Sequence, residues 1–159
     1  MAEKTTLEAL KQKFPEYVVE MSAPFGDETV VIRKESLLEI VAFLRKPPFD
    51  FQMLLDLTCV DHPGRSDRFE MVYHLFSLAS NGRLRIKLSL PEQAAVVGSL
   101  VRFWKNANWL EREVFDMFGV RFEGHPDLRR LFMNDAFEGH PLRKDYPLRK
   151  RQPLIPLRK

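Results

Sequence analysis

Cysteine occurs once in the 159 residues, at Cys59. A lone thiol excludes an internal disulfide and any cysteine-rich zinc or iron–sulfur site, and it suits a reducing compartment. Long apolar runs are missing as well. No stretch approaches the roughly 20 apolar residues of a membrane span, and the N-terminus, with Glu3 and Lys4, has no apolar segment of the kind that directs secretion. The chain therefore reads as neither secreted nor inserted. Glycine is scarce, and Gly98 and Gly119 stand isolated. With no Gly-x-Gly-x-x-Gly or Gly-Lys-Ser/Thr run, nucleotide binding by a known loop is unsupported. There is also no Gly-x-Ser-x-Gly elbow, and Cys59 falls within an expected strand, which argues against a Ser–His–Asp or Cys–His hydrolase.

The charges divide unevenly. The net value is +3, but residues 142–159 hold seven Lys or Arg against one Asp, and residues 1–141 hold 18 basic against 21 acidic groups. A mildly acidic body thus carries a basic tail, a pattern that suits nucleic acid, an anionic membrane surface or an acidic protein groove. At this length one domain buries roughly 70% of the surface its unfolded chain would expose and needs no disulfide or metal to fold.

Along the chain, Thr5 and Glu8 form a capping-box pattern ahead of Leu7, Leu10 and Phe14, which predicts a short helix ended by Pro15. Residues 17–21 and 28–32 flank Pro24, Gly26 and Asp27 and read as a hairpin. Ser36 and Glu39 repeat the capping pattern before a helix with Leu37, Ile40, Val41 and Leu44 on one face. Residues 51–60 are apolar enough for a central strand buried on both faces. Residues 69–78 form the next strand, and Asn81-Gly82 turns into a third in which Leu84, Ile86, Leu88 and Leu90 alternate with polar residues. Gln93, Val96, Val97, Leu100, Val101 and Trp104 trace the stripe of a further helix after Pro91. The order is helix, two strands, helix, three strands, then helices. It predicts an α+β, two-layer sandwich with helices on one face of a mostly antiparallel sheet, followed by an extended C-terminal tail. We divide it into an α+β domain, 1–120, and a basic partner-binding tail, 121–159.

The stretch from Trp109 to Pro147 is the least ordinary. A charged helix is expected from Asn108, as cap, to Gly119, as left-handed C-terminal residue. Leu110, Val114, Met117 and Phe118 make its apolar face. Glu111, Arg112, Glu113 and Asp116 then form a solvated face on which Arg112 and Asp116, one turn apart, can pair. Trp109 and Phe115 lie off the apolar stripe, which suggests a second side to bury. Glu111 and Glu113 point about 200° apart and cannot flank one substrate atom, so a general acid–base pair is not expected. Phe-Glu-Gly-His-Pro occurs twice, at residues 122–126 and 137–141. His125, Asp127 and His140 are the best metal candidates, with Cys59, Asp61 and His62 a looser second set, but neither has tight ligand spacing. Each His follows Gly and precedes Pro, so each ring can instead fix a turn by bonding to backbone. Pro-Leu-Arg-Lys recurs at Pro141, Pro147 and Pro156, which predicts an extended strap with little of its own to collapse onto. A partner surface would offset its ordering entropy.

The run Glu111-Arg112-Glu113, Asp116, Gly119, Phe122, then residues 124–130 and 138–147, closely resembles the signature of the C subunit of bacterial respiratory complex I, the proton-pumping NADH–quinone oxidoreductase. Residues 56–61, 68–70 and 72–73 are similar to the family's strand pair. The resemblance covers about residues 51–147. It implies a peripheral-arm subunit with no catalytic residue, cofactor or metal of its own. FMN and the iron–sulfur clusters are implied in other subunits, and the membrane contact is made only through the complex, on the cytoplasmic face of the bacterial inner membrane. Partners implied are the D and B subunits, met through Glu111, Arg112, Asp116, His125, Asp127, Arg129, Arg130, Glu138, His140, Arg143, Lys144, Asp145 and Tyr146. Similar domains occur in membrane-bound energy-converting hydrogenases and formate hydrogenlyase, the alternative reading, which a free-standing chain ending at Lys159 disfavours. A nucleic-acid binder is the rival from another class. Its basic tail carries only Tyr146 as an interleaved aromatic, too little for a stacking surface.

Overall fold

A computed structural model describes residues 5–152. The helix α1 (Thr6–Lys13) opens with the expected capping box: Thr5 accepts from the Glu8 amide and Glu8 accepts from the Thr5 amide. The strands β1 (Val18–Ser22) and β2 (Glu28–Ile32) pair antiparallel as the expected hairpin. Next come α2 (Leu37–Leu44), β3 (Met53–Asp61), β4 (Phe69–Ser77), β5 (Gly82–Leu90), β6 (Val96–Gly98), α3 (Ala107–Phe118) and β7 (Arg121–Glu123).

The main sheet has the order β1-β2-β5-β4-β3. Its neighbours are antiparallel except for β2 and β5, which run parallel because the chain leaves β2 through α2, β3 and β4 before returning. Inward residues of β2 to β5, among them Val30, Ile32, Leu57, Met71, Tyr73, Leu84, Ile86 and Leu88, join Leu10 of α1, Ile40 and Leu44 of α2, and Val114 and Met117 of α3 in a single core. This is the two-layer α+β sandwich expected from the sequence.

Three local expectations fail. Residues 51–60 do not form a central strand. β3 lies at the sheet edge, with Met53, Leu55 and Val60 exposed. An apolar run reports the faces of a strand and not which neighbours flank it. The edge is covered in part by side chains: Trp104 Nε1 donates to Gln52 O at 2.9 Å and Asn106 Nδ2 to Leu54 O at 2.8 Å.

The helix expected after Pro91 is instead a 3₁₀ turn (Glu92–Ala94), then β6 in parallel pairing with β7, then turns. Leu100 and Trp104 are buried, as that stripe required, and Trp104 N donates to Leu100 O as in a helical turn, but the amides just before that turn serve other partners. Ser99 N donates to Glu123 O and Leu100 N to the Glu111 carboxylate. The third failure is at α2, where Ser36 does not cap with its side chain. Its hydroxyl donates to Arg33 O, inside a 3₁₀ turn that leads directly into the helix.

Candidate functional site

α3 begins at Ala107 with Asn106, not Asn108, in the cap position, and Asn106 spends its amide on β3. The expected end is correct: Gly119 sits at φ 81°, in the left-handed region. The solvated charged face is overturned. Glu111 and Asp116 are fully buried and Arg112 is only 8% exposed, while Glu113 points to solvent. For Arg112 and Asp116 the reason lies in the strap, residues 124–152, which comes back over this face, whereas Glu111 is met by Ser99 and Leu100 from the segment before the helix. The Arg112–Asp116 pair does not form either, because each residue turns to the strap.

Asp116 is the centre of the arrangement. One carboxylate oxygen accepts from Arg130 Nη1 at 2.7 Å, and the other accepts from the amides of Leu131, Phe132 and Met133 at 2.8–3.0 Å. Burial acts to raise its pKa, but the three amides and the guanidinium together outweigh burial and hold it below the ordinary carboxylate value. Arg112 grips the same segment from the other side, donating through Nε to Arg129 O and through Nη2 to Arg130 O.

The strap also finishes the helix. The last four carbonyls of an α-helix have no partner within it. Here Phe115 O accepts from Gly119 N, Asp116 O from His140 Nδ1, Met117 O from Leu142 N and Phe118 O from Arg143 Nε. Arg143 thus places positive charge at the negative end of the helix. Gly119 is required twice over: besides its positive φ, a Cβ there would lie 2.6 Å from His140 Nε2 and 2.8 Å from Arg143 Nη2.

The doubled pentapeptide makes two turns, with Gly124 at φ 81° and Gly139 at φ 96°. Each histidine binds a carbonyl of α3. His125 Nδ1 accepts from Asp127 N, which leaves Nε2 as the donor to Asn108 O at 3.2 Å. His140 uses Nδ1 as its donor to Asp116 O at 3.0 Å. Burial, with Arg143 and Arg130 nearby, lowers the His140 pKa, so the ring is held neutral.

A second polar cluster ties the strap to the sheet. Arg68 forms a two-point pair with Asp61, at 2.7 and 2.9 Å, and also reaches Glu92 and Asp145. Lys144 N donates to Asp61 Oδ2 at 2.7 Å. Arg68 accordingly lowers the pKa of both Asp61 and Asp145. In the sequence Arg68 and Asp61 belong to the strand-pair resemblance, with Asp61 also in the looser metal set, and their partnership with Asp145 and Lys144 has no local signal. Farther along, Tyr146 stacks on Phe137 at 6.0 Å, and Glu138 pairs with Lys150 at 3.3 Å. Among the thirteen contact candidates, Asp127, Arg129, Glu138, Lys144 and Asp145 are the exposed ones, with Asp127 and Arg129 paired to each other.

Glu111 differs from the others. Its oxygens accept from Ser99 Oγ and Leu100 N, with no cation within ion-pair distance among the described residues. Burial raises its pKa to about 7. Cys59 is buried and its thiol is pushed up to about 12 by burial and by Asp61. It is therefore a poor nucleophile and a poor ligand. Among the described residues no group of three or more His, Cys, Asp or Glu converges as a metal site.

Residues 30–152 match the family model described as the 30 kDa subunit of respiratory-chain NADH dehydrogenase. The C subunit of the NADH-quinone oxidoreductase of Trichlorobacter lovleyi is 50% identical over 143 residues, which covers 89% of this chain and 88% of the relative. Its counterpart in Rhodobacter capsulatus is 48% identical over 137 residues, covering 86% of this chain and 68% of that protein. Among solved structures, a trypsin-resistant fragment of Nqo5 superposes with a TM-score of 0.68 at 32% identity, covering 77% of this chain and 96% of the fragment. A chain of an archaeal membrane-bound sulfane sulfur reductase shares the fold, with a TM-score of 0.76 at 23% identity, 89% of this chain and 84% of that chain.

Proposed function

The chain belongs to the family of the 30 kDa subunit of respiratory-chain NADH dehydrogenase, and on that premise we propose that this NADH-quinone oxidoreductase subunit works as a non-catalytic scaffold of the peripheral arm. It docks on the D and B subunits through α3 and the strap. The electron carriers, FMN and iron–sulfur clusters, sit in other subunits, and this chain holds no cofactor. It lies on the cytoplasmic face of the membrane, attached through its complex. Among the described residues no helix is long and apolar enough to cross a bilayer.

The observation that carries the scaffold reading is the burial of the acid–base candidates. Glu111 and Asp116 are sealed from solvent, and each is satisfied by structural donors and not aimed into a cleft. Such a network shapes a surface. Buried ion pairs contribute little net stability against apolar replacements, and their best-attested use is to specify one geometry. The strap is thereby held ready before any partner arrives, which lowers the ordering cost of association. Exposed Asp127, Arg129, Glu138 and Lys144 then offer charge to the partners. The fold alone does not choose between respiratory complexes, since a sulfane sulfur reductase chain shares it. Identity of 50% with the C subunit of an NADH-quinone oxidoreductase favours the quinone-reducing enzyme.

The test is purification of an affinity-tagged full-length chain from detergent-extracted membranes. D- and B-type subunits and NADH-dependent quinone reduction should accompany it. Recovery of the chain alone, with quinone reductase activity intact after its gene is deleted, would sink the reading.

A further inference from the structure

Trp109 and Phe132 are 59% and 61% exposed. Neither is loosely held. Trp109 is in the first turn of α3, three residues before Arg112 and on the same side of the helix. Phe132 has its amide bound to Asp116 at 2.8 Å, so its backbone is fixed while its ring faces outward. Arg112 links the two segments: its guanidinium carbon is 5.1 Å from the centre of the Trp109 ring, and it holds the carbonyls of Arg129 and Arg130, just before Phe132 in the strap.

Arg112 is the unusual member. It is 8% exposed, yet both of its hydrogen bonds go to neutral carbonyls, those of Arg129 and Arg130. Among the described residues no carboxylate lies within ion-pair distance of it, whereas Arg68 has three and Arg130 has one. Asp116, the acid one turn along the helix, is already occupied by Arg130 and three amides. A largely desolvated cation without a counter-charge is unfavourable unless an anion is supplied from outside. Nε and Nη2 face the strap, which leaves Nη1 for that anion.

We propose that Trp109, Arg112 and Phe132 form the centre of the contact with a neighbouring subunit of the oxidoreductase, and that this partner presents an Asp or Glu carboxylate to Arg112 on apolar ground that receives the two rings. The proposal rests on the subunit reading above and names its anchor. Trp and Arg are enriched where interface energy concentrates, in patches that exclude water. Excluding water would strengthen the guanidinium–carboxylate bond. The exposed charges of the strap then belong to the rim, where each contributes less.

In the intact, tagged complex, p-benzoylphenylalanine placed at position 109 or 132 should cross-link to another subunit under light, and at position 25, in the exposed turn between β1 and β2, it should not. The cross-linked peptide should contain an Asp or Glu whose change to Asn or Gln weakens retention of the chain. Trp109→Ala and Phe132→Ala should each weaken retention about 30-fold, the hot-spot threshold. Because both side chains face solvent, the free variant chains should melt like the parent. A complex that purifies whole but yields no cross-link from 109 or 132, or retention unchanged in both alanine variants, overturns the inference and leaves the scaffold reading standing. Cross-linking only to a second copy of this chain also overturns it. Failure of any other subunit to co-purify removes both.

Discussion

Gly119 and Gly124 share a φ of 81° but differ in their surroundings. Alanine at either position adopts an unfavourable left-handed backbone, which costs about 1 kcal/mol. At 124 nothing lies within 4 Å of the new methyl, whereas at 119 it would meet the His140 ring and the Arg143 guanidinium. Gly119→Ala should therefore destabilise the chain clearly more than Gly124→Ala in chemical denaturation, and equal losses would show that the strap does not close over the helix end. Glu111 supplies a second contrast. Its folded pKa, near 7, lies above the ordinary 4.5. The associated stability is thus fully present below about 4.5 and is lost as pH rises toward 7. Glu111→Gln mimics the neutral form, so the variant and the parent should melt nearly alike around pH 4. At pH 8 the variant should be more stable by up to about 3 kcal/mol. A variant less stable than the parent at pH 8 would mean that the ionised carboxylate is needed where it sits. The identity of these residues was plain in the sequence, but their burial was not. A charged helix face reads as solvated until it is known what lies across from it.

The strap and α3 make one unit, in which the helix supplies Asp116 and the C-terminal carbonyls while the strap supplies the donors. Removing the charge at Asp116 leaves Arg130 without its partner and weakens the hold on three amides. Breaking a buried pair of this kind costs about 3–5 kcal/mol. If that loss appears as local opening, trypsin should cut Asp116→Asn after Arg129, Arg130 or Lys144 well over tenfold faster than the parent, while the sheet stays protected. Unchanged cleavage would show that the strap is held elsewhere, with the Arg68 cluster the first place to look. Elements stabilised by neighbours in sequence were legible: the capping box of α1, the β1–β2 hairpin, the alternation of β5 and the glycine end of α3. Those determined by distant partners were not. Leu100 and Trp104 have helical spacing, but the amides of Ser99 and Leu100 are claimed by Glu123 and Glu111, and β3 resembles a central strand because an apolar pattern carries no information about neighbouring strands. The composition of the strap predicts an external surface for it to lie on. Part of that surface is the chain's own helix.

At the scale of the molecule, the titrating groups act in opposite directions. His140 has a lowered pKa, so its contribution is present above about 6.5 and is lost as pH falls. Asp61, Asp116 and Asp145 also have lowered values, and their contributions are present above about 3.8 and are lost in more acidic solution. Glu111 works against them from 4.5 upward. Melting temperature should therefore peak at a mildly acidic pH, roughly 5–7. It should fall steeply below pH 4 as the strap loses Asp116 and the Arg68 cluster together. A steady rise in melting temperature to pH 9 would contradict the burial of Glu111. The sequence by itself determined the α+β class, the helix termini set by local caps, the division of charge between body and tail, and, through the run from Glu111 to Pro147, the family. Those properties depend on composition, on period and on residues close together along the chain. Only the tertiary structure decided that Glu111, Arg112 and Asp116 are interior, that the two histidines bond to opposite ends of one helix, and that Trp109 and Phe132 remain outside. Each of these depends on which surfaces meet across tens of residues, a matter of desolvation and hydrogen-bond geometry that no local pattern records.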